Sequence, residues 1–185
     1  MKRYLLLIVS IAVAMAMVFS FIGCGSDTAK AKEYMEKGDE LTLDLETESF
    51  MITDELIALI IDYIEGRNTE PAAVTAKVEE IKDMASEMES NGEKAKEEYE
   101  LILGLNGVSD YKEYASMQIE IIEMMKDDAL ETCYDTLDKI MASVNTGEPL
   151  DTDELMESVA AAVKMGKEAT EQDNEAEEYK IENNL

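Results

Sequence analysis

The chain of 185 residues contains no histidine and no tryptophan, and it has only two cysteines and two prolines. Histidine is the usual general base near neutral pH and a common ligand of zinc and copper. Its absence removes those sites, together with the Glu-x-x-His pattern of di-iron helical bundles. The sequence also lacks a Gly-x-Ser-x-Gly motif and a glycine-rich phosphate loop. We therefore expect a protein that is not an enzyme and that holds no cofactor and no dedicated metal ion.

Basic residues are scarce as well: 16 lysines and arginines face 43 aspartates and glutamates, which gives a net charge of −27. A protein that binds nucleic acid must neutralise phosphates with basic side chains. A protein with this negative charge repels the phosphate backbone, so we expect no nucleic-acid partner. Carboxylates at this density attract divalent cations, and weak screening of the surface by such ions is the expected consequence.

One long apolar run begins at Tyr4 and ends at Ile22, directly after Lys2-Arg3. A basic start, an apolar core and a small residue before the cut are typical of a secretory leader. Phe21-Ile22-Gly23-Cys24 resembles the lipobox of bacterial lipoprotein precursors, in which the cysteine is acylated and the chain is cut just before it. The resemblance implies a signal peptide over residues 1–23 and a palmitate-type lipid on Cys24. It also implies a short tether over 24–26 and a location on the extracytoplasmic face of a cell membrane.

An alternative interpretation leaves the leader uncleaved. The apolar run approaches the ~20 residues that an α-helix needs to cross a bilayer, so it also fits a signal anchor. In both interpretations residues 25–185 lie outside the cytoplasm. The lipoprotein interpretation is preferred because Gly23-Cys24 stands where the apolar run gives way to Gly25-Ser26-Asp27.

The remaining chain predicts an all-α fold, an antiparallel up-down-up-down four-helix bundle over residues 27–182. Apolar residues recur at steps of three and four, which is the spacing of one helix face. The turns fall at the residues around the two prolines, Pro71 and Pro149, and at Gly104–Ser109. These signals predict helices over about 27–65, 71–104, 110–145 and 152–180. The last helix has a thin apolar face, and its acidic part beyond Thr170 is expected to fray.

The second helix has the clearest pattern. Its predicted buried face follows an unbroken alternation of four and three residues through Val74, Val78, Ile81, Ala85, Met88, Gly92, Ala95, Tyr99 and Ile102. Such a heptad pattern indicates a face that packs against other helices. Asn91-Gly92 ordinarily indicates a turn. We predict one continuous helix here, and the alternative is a break that makes five helices.

The two prolines lie in similar contexts, since Ile61-Asp62-Tyr63-Ile64 precedes Pro71 and Leu137-Asp138-Lys139-Ile140 precedes Pro149. This suggests a duplicated helical hairpin, with chance similarity as the competing explanation. In such a bundle both Glu-Pro turns lie at one end. Five tyrosines then gather at the other end, where they form either a plug of the core or one side of a ligand pocket: Tyr34, Tyr99, Tyr111, Tyr114 and Tyr179.

Methionine and cysteine can both have chemical roles, but in this sequence their positions are better explained by packing of the core. Methionines such as Met88 and Met125 recur at helical core spacing, which is typical of adaptable packing and not of a Cu(I) site. Cys133 lies within the third helix's apolar stripe, next to acidic residues. A reactive thiol needs an electropositive surrounding, so we expect a buried, unreactive side chain.

The sequence thus predicts a lipid-anchored, extracytoplasmic helical bundle that acts as a non-enzymatic binding or structural module. A membrane contact through the lipid on Cys24 is expected, and an unknown protein partner is a second expectation. Its predicted contact is the exposed end formed by the two Glu-Pro turns, with Arg67, Asn68, Asn145 and Glu148. The alternative is a sensor bundle that binds a solute or ion near the tyrosine-rich end.

Overall fold

The computed structural model describes the backbone of residues 2–67 and 70–185, and the side chains of residues 27–67, 70–126 and 129–185. All regular structure in these residues is helical. The elements are α1 (Lys2–Ile64), α2 (Pro71–Leu103), α3 (Ser109–Glu123), a π-helical segment (Met124–Ala129), α4 (Leu130–Thr146) and α5 (Thr152–Asn183). Since α3, the π-helical segment and α4 follow one another without a gap, the described residues form four helical rods. The predicted all-α helical bundle is confirmed.

The rods run antiparallel to their neighbours in sequence. At one end, Asp39 of α1 lies beside Tyr99 of α2, Tyr114 of α3 and Lys180 of α5. At the other end, an ion pair joins Glu55, late in α1, to Lys77, early in α2, and another joins Lys139, late in α4, to Glu154, early in α5. Residue numbers therefore rise along the first and third rods while they fall along the second and fourth. This is the up-down-up-down arrangement.

The two ends of the bundle differ in chemistry. The end around Tyr99 and Tyr114 is called the tyrosine-rich end below, and the end with both proline-containing turns is called the Glu-Pro end. At the Glu-Pro end the hydroxyl groups of Tyr63 and Ser143 lie 2.5 Å apart, which brings the C-terminal parts of α1 and α4 together. α4 stops at Gly147, which adopts a left-handed φ of 73° as helix-terminating glycines commonly do.

The heptad face predicted for α2 is confirmed in full, because all nine of its residues are buried. α2 also continues through Asn91-Gly92, so the five-helix alternative is wrong. Gly92 is buried, and a Cβ added there would lie 3.3 Å from Leu45 Cδ1 of α1. The glycine therefore allows α1 and α2 to approach closely. This packing outweighs the turn preference of the Asn91-Gly92 pair.

The π-helical segment was not predicted. Buried residues follow the heptad steps from Gln118 to Ile122 and Met125, but the next buried residue among the described side chains is Leu130, whereas the regular step of four would bury Ala129. The step of five residues is accommodated by the wider turn of a π-helix, after which Cys133 and Leu137 resume the original face. The third rod consequently keeps one buried face along its whole length.

The start of the predicted first helix and the end of the predicted last helix need correction. α1 begins at Lys2 and not near residue 27, so the helix includes the predicted leader and tether, whose sequence is rich in the strong helix formers Leu, Ala and Met. α5 begins as predicted, and the Asp151 side chain accepts hydrogen bonds from the backbone N–H groups of Asp153 and Glu154. It then continues to Asn183, so the predicted fraying beyond Thr170 is wrong.

The duplicated hairpin stays a hypothesis. Both Glu-Pro turns lie at the same end, as the hypothesis requires. The repeated sequences, however, stand at different distances from their helix ends. Ile64 is the last residue of α1, whereas α4 continues beyond Ile140 to Thr146.

Candidate functional site

A pocket of about 490 Å³ lies in the middle of the bundle, between α1, the π-helical segment, α4 and α5. Its volume is within the range of 300–1,000 Å³ that is usual for small-molecule sites. The inner wall is apolar, and the side chains that define it are Met88, Met124, Met125, Leu130, Cys133 and Met165. Methionine side chains are flexible and polarizable, so a wall of this kind adapts to apolar ligands of different shape.

Small residues on α5 create this pocket. Ala162 and Gly166 line it, and a Cβ added at Gly166 would meet no atom within 4 Å. α5 therefore leaves space at the level where α1 presents Ile52 and Leu56. The sequence shows that the last helix has a thin apolar face. At the pocket this face packs less tightly against α1 than a leucine-rich face would.

The mouth of the pocket is amphipathic. Phe50 of α1 lies at the rim with 64% of its surface exposed, although it is among the residues that line the pocket. Charged side chains of both signs accompany it: Asp54, Lys167 and Glu171. An apolar interior with a few polar groups at its entrance is the common composition of a ligand site.

Cys133 contributes its thiol to the inner wall of the pocket. The side chain is 3% exposed, and burial raises the pKa of Cys133 to about 11. A thiol with this pKa is almost wholly protonated at neutral pH, so it is a poor nucleophile. The sequence prediction of a buried Cys133 is confirmed.

The tyrosine-rich end is built differently, around one carboxylate. Asp39 Oδ1 accepts hydrogen bonds from the phenols of Tyr99 at 2.8 Å and Tyr114 at 2.9 Å, and the two rings pack edge to face with centroids 6.2 Å apart. Both side chains are fully buried. Burial is the largest cause that raises the pKa of each tyrosine, followed for Tyr99 by the charge of Asp39 and for Tyr114 by Tyr99 and Asp39. Both phenols therefore stay protonated and act as donors.

Lys180 neutralises part of this end. Its Nζ atom lies 2.7 Å from Asp39 Oδ2 and 3.0 Å from Glu177 Oε1, and 5.3 Å from the centre of the Tyr114 ring. Burial opposes the charged form, but the bonds to Asp39 and Glu177 outweigh it and raise the pKa of Lys180. The ammonium thus links α5 to α1 through a charge-assisted contact.

Beside this centre is a smaller cavity of about 170 Å³ with an acidic wall. Gln118 lines it, and its Nε2 donates to Asp173 Oδ1 at 3.1 Å and to the Tyr114 hydroxyl at 3.2 Å. Glu46 of α1 also lines the cavity. Burial, and then the charge of Asp173, raise the pKa of Glu46. Two carboxyl groups of opposite helices therefore face each other here.

The five tyrosines predicted for this end are not equivalent. Tyr99 and Tyr114 form the buried centre, while Tyr34, Tyr111 and Tyr179 are half-buried and pack against the core. Sequence reasoning missed the carboxylates, Lys180 and Gln118 that complete the centre. Gln118 lies four residues before Ile122 on the buried face of the third rod, and a polar residue at such a position is the one available signal of an internal polar contact.

The structure leaves the predicted partner contact untested. Arg67 is exposed and pairs with Asp62 and Glu65, at 3.3 and 2.8 Å. Asn145 and Glu148 are exposed as well, while Asn68 lies outside the described residues. The Ser143 hydroxyl donates to the backbone carbonyl of Glu148, which holds the second turn. Arg67, Asn145 and Glu148 lie at the Glu-Pro end, and the role of the predicted contact in binding a partner stays a prediction.

In the part of the chain with described side chains, no group of three or more acidic or cysteine residues is arranged to hold a metal ion. In that same part, no helix has both the length and the apolar character needed to cross a membrane. The leader and Cys24 precede the described side chains, so the predicted lipidation site lies outside them.

Comparison with known proteins found no match to this chain among protein families, curated proteins or solved structures.

Proposed function

We propose that the chain is the precursor of a lipid-anchored, extracytoplasmic binding module, non-enzymatic, whose ligand is a small uncharged molecule with an apolar body. The observation that carries the proposal is the methionine-lined pocket between α1 and α5. It combines a volume suited to a small molecule, an apolar interior and an amphipathic mouth. The inner wall of the pocket is continuous with the buried core, because Met88, Met125 and Leu130 belong to both.

The charges of the protein favour an uncharged ligand over an anionic one. A net charge of −27 repels anions such as fatty acids, and the rim carries Asp54 and Glu171 against Lys167. The inner wall offers a ligand apolar surface, and burial of such surface contributes roughly 25 cal/mol per Å². A neutral amphiphile that places its polar end near the rim fits these conditions best.

The lipid proposed for Cys24 is not this ligand. Cys24 and Ser49, the first residue of α1 in the pocket wall, lie on one continuous helix. Their separation is roughly 37 Å at 1.5 Å per residue. An acyl chain spans about one leaflet of hydrocarbon, ~15 Å. The lipid therefore cannot reach the pocket of its own chain, and the two features serve anchoring and binding separately.

A pocket-filling variant tests the binding site. Gly166→Leu places a side chain where the structure leaves space, whereas Ala161→Leu adds the same side chain to the exposed side of α5. We expect the affinity for 1-octanol, measured by calorimetry on the full chain, to fall at least tenfold in Gly166→Leu and to stay unchanged in Ala161→Leu. Equal affinities in the two variants would reject the pocket.

The anchor needs a separate test, because it rests on the leader sequence. Mass spectrometry of protein extracted from membranes should find an acylated Cys24 at the N-terminus. A chain that retains Met1, or that begins with an unmodified Cys24, would reject the lipoprotein proposal and leave the pocket proposal intact.

A further inference from the structure

One side of α1 carries large apolar side chains that stay at the surface of the described bundle. Leu43 and Phe50 are each 64% exposed, and Ile61 and Ile64 are about two-fifths exposed. Together with the half-buried Ile57 these residues are called the apolar stripe. Leu43, Phe50, Ile57 and Ile64 follow one another at intervals of seven residues, and Ile61 lies between the last two. This is the spacing of a face that packs along another helix.

The apolar stripe is a second face of α1, distinct from the one that the bundle uses. Leu45, Ile52 and Leu59 also lie seven residues apart, and they are buried in the core. Each follows a residue of the stripe by two positions, which turns an α-helix by roughly 200°. The two faces therefore lie on nearly opposite sides of α1. A helix that only packs onto its own bundle needs one apolar face, so the second one indicates another packing partner.

The surroundings of the apolar stripe are acidic. Residues 38–64 of α1 contain eight aspartates and glutamates and no lysine or arginine. Ion pairs with basic side chains from outside this segment involve three of the eight: Asp39, Glu55 and Asp62.

α5 adds further carboxylates beside the stripe. Glu171 lines the apolar pocket together with Phe50, and Asp173 lines the small cavity together with Leu43. Lys167 is the one basic residue that lines either of them. The apolar stripe thus has negative charge along both of its sides.

We propose that the apolar stripe of α1 docks an amphipathic α-helix of another protein, whose polar face is cationic. Apolar side chains of that helix pack on the stripe, and its lysines or arginines meet the carboxylates on both sides. Leu43 and Ile64 are about 32 Å apart along α1 at 1.5 Å per residue, so a partner helix of about three heptads covers the stripe. Phe50 and Ile57 also line the apolar pocket, so the docked helix lies across its mouth.

Two other occupants fit this charge less well. A second copy of the chain would bring the same eight carboxylates against the first eight, because a twofold interface joins identical surfaces. An anionic lipid surface is repelled by the same charge. A cationic helix is attracted instead, which makes it the expected occupant.

The test is a titration of ¹³C-methyl-isoleucine-labelled full chain with a designed peptide, in uncharged detergent and at constant ionic strength. The peptide consists of leucine and lysine over about three heptads, with leucine at every a and d position. We expect saturable shifts of the methyl signals of Ile57, Ile61 and Ile64. The signals of the buried Ile81 and Ile102 on α2 should stay unchanged.

Two control peptides separate docking from attraction between opposite charges. A scrambled peptide has the same composition without an apolar face, and a leucine–glutamate peptide has the face with the opposite charge. Neither should shift the stripe signals. Equal shifts with the scrambled peptide, or no saturable shift with the designed one, would overturn the proposal.

The other occupants give different outcomes in the same spectra. Shifts of the stripe signals that appear when the chain is concentrated without peptide would assign the stripe to a second copy. Shifts that appear in phosphatidylcholine bicelles without peptide would assign it to lipid. Either result would overturn the docking of a cationic helix.

A matched pair of double variants tests the position of the docking surface. Leu43→Gln with Ile61→Gln alters the stripe outside the apolar pocket, and Leu101→Gln with Ile181→Gln alters exposed apolar residues of α2 and α5. The affinity for the designed peptide should fall at least tenfold in the first pair and stay unchanged in the second. Equal affinities in the two pairs would overturn the assignment to the stripe. Binding of 1-octanol should persist in both pairs, because the inference is independent of the proposed function.

Discussion

The contact between Gly38 and Tyr99 makes a quantitative prediction about the tyrosine-rich end. Gly38 is buried in α1, and a Cβ added there would lie 2.6–2.9 Å from three atoms of the Tyr99 ring. The ring cannot move away easily, because it is fully buried and its hydroxyl is bonded to Asp39. Forcing an extra carbon into a packed core costs typically about 1–3 kcal/mol. Replacing a glycine in a helix by alanine contributes about 1 kcal/mol in the opposite direction.

Gly166→Ala is the matched control, because its Cβ would meet no atom within 4 Å. Both variants have the same gain in helix propensity, so their difference isolates the contact with the ring. We expect Gly38→Ala to have a free energy of unfolding about 1–3 kcal/mol below that of Gly166→Ala. For a chain of this size the difference corresponds to about 2–12 °C in Tm, measured by circular dichroism. A Gly38→Ala protein as stable as Gly166→Ala would refute the close contact.

Three further predictions concern the polar centre and the thiol. Tyr99→Phe removes the 2.8 Å bond to Asp39, so urea denaturation should show a loss of about 1.5–3 kcal/mol in unfolding free energy. The pKa of Glu46 is raised in the folded protein by burial and by Asp173. Stability contributed by this carboxyl is therefore lost as pH rises above its ordinary value near 4.5, and Glu46→Gln should raise Tm at pH 7 but not at pH 4. Cys133, finally, should escape iodoacetamide in the folded chain and react in concentrated urea, as peptide mapping would show.

Each of these has a contradicting outcome. The variant Tyr34→Phe, which alters a half-buried tyrosine, is the control for Tyr99→Phe. Equal losses of unfolding free energy in the two variants would show that the hydrogen bond to Asp39 adds no stability. A Glu46→Gln gain of the same size at both pH values would mean that the charge of Glu46 is not the cause. Rapid alkylation of Cys133 in the folded chain would contradict its burial in the pocket wall.

The apolar part of the fold could be predicted from the sequence because it follows a simple period. In α2 the alternation from Val74 to Ile102 identifies all nine buried residues, including Gly92. The same alternation outweighed the local turn preference of Asn91-Gly92. Helix packing is dominated by burial of one face, and burial along a straight helix is periodic.

The polar centre could not be predicted in this way. Asp39, Asp173 and Lys180 are acidic or basic residues among many on these helices, and nothing in their spacing marks them as internal. Their partners come from three other helices, so the pairing depends on how the rods are rotated about their axes. The C-terminal half of α5 shows the consequence: its apolar face is thin, yet Lys180 and its neighbours bind it to α1 and α3 through polar contacts.

The π-helical segment escaped prediction for a related reason. Ala129 and Leu130 are adjacent and both apolar, so the sequence permits either as the next buried residue. The structure buries Leu130 and leaves Ala129 partly exposed. The helix is widened from Met124 to Ala129, and the first two residues of this segment, Met124 and Met125, line the apolar pocket. The pocket wall therefore includes a local irregularity that the heptad pattern alone does not reveal.

The central claim is that the methionine-lined pocket binds an uncharged apolar molecule. The most direct measurement is a titration of the ¹³C-methyl-methionine-labelled full chain with 1-octanol, followed by NMR. We expect saturable shifts of the methyl signals of the pocket methionines, while those of the exposed Met51 and Met156 stay unchanged; the pocket methionines are Met88, Met124, Met125 and Met165. Octanoate should give no such shifts at the same concentration. Shifts that spread over all methionines, or that leave the four pocket methionines unaffected, would contradict it.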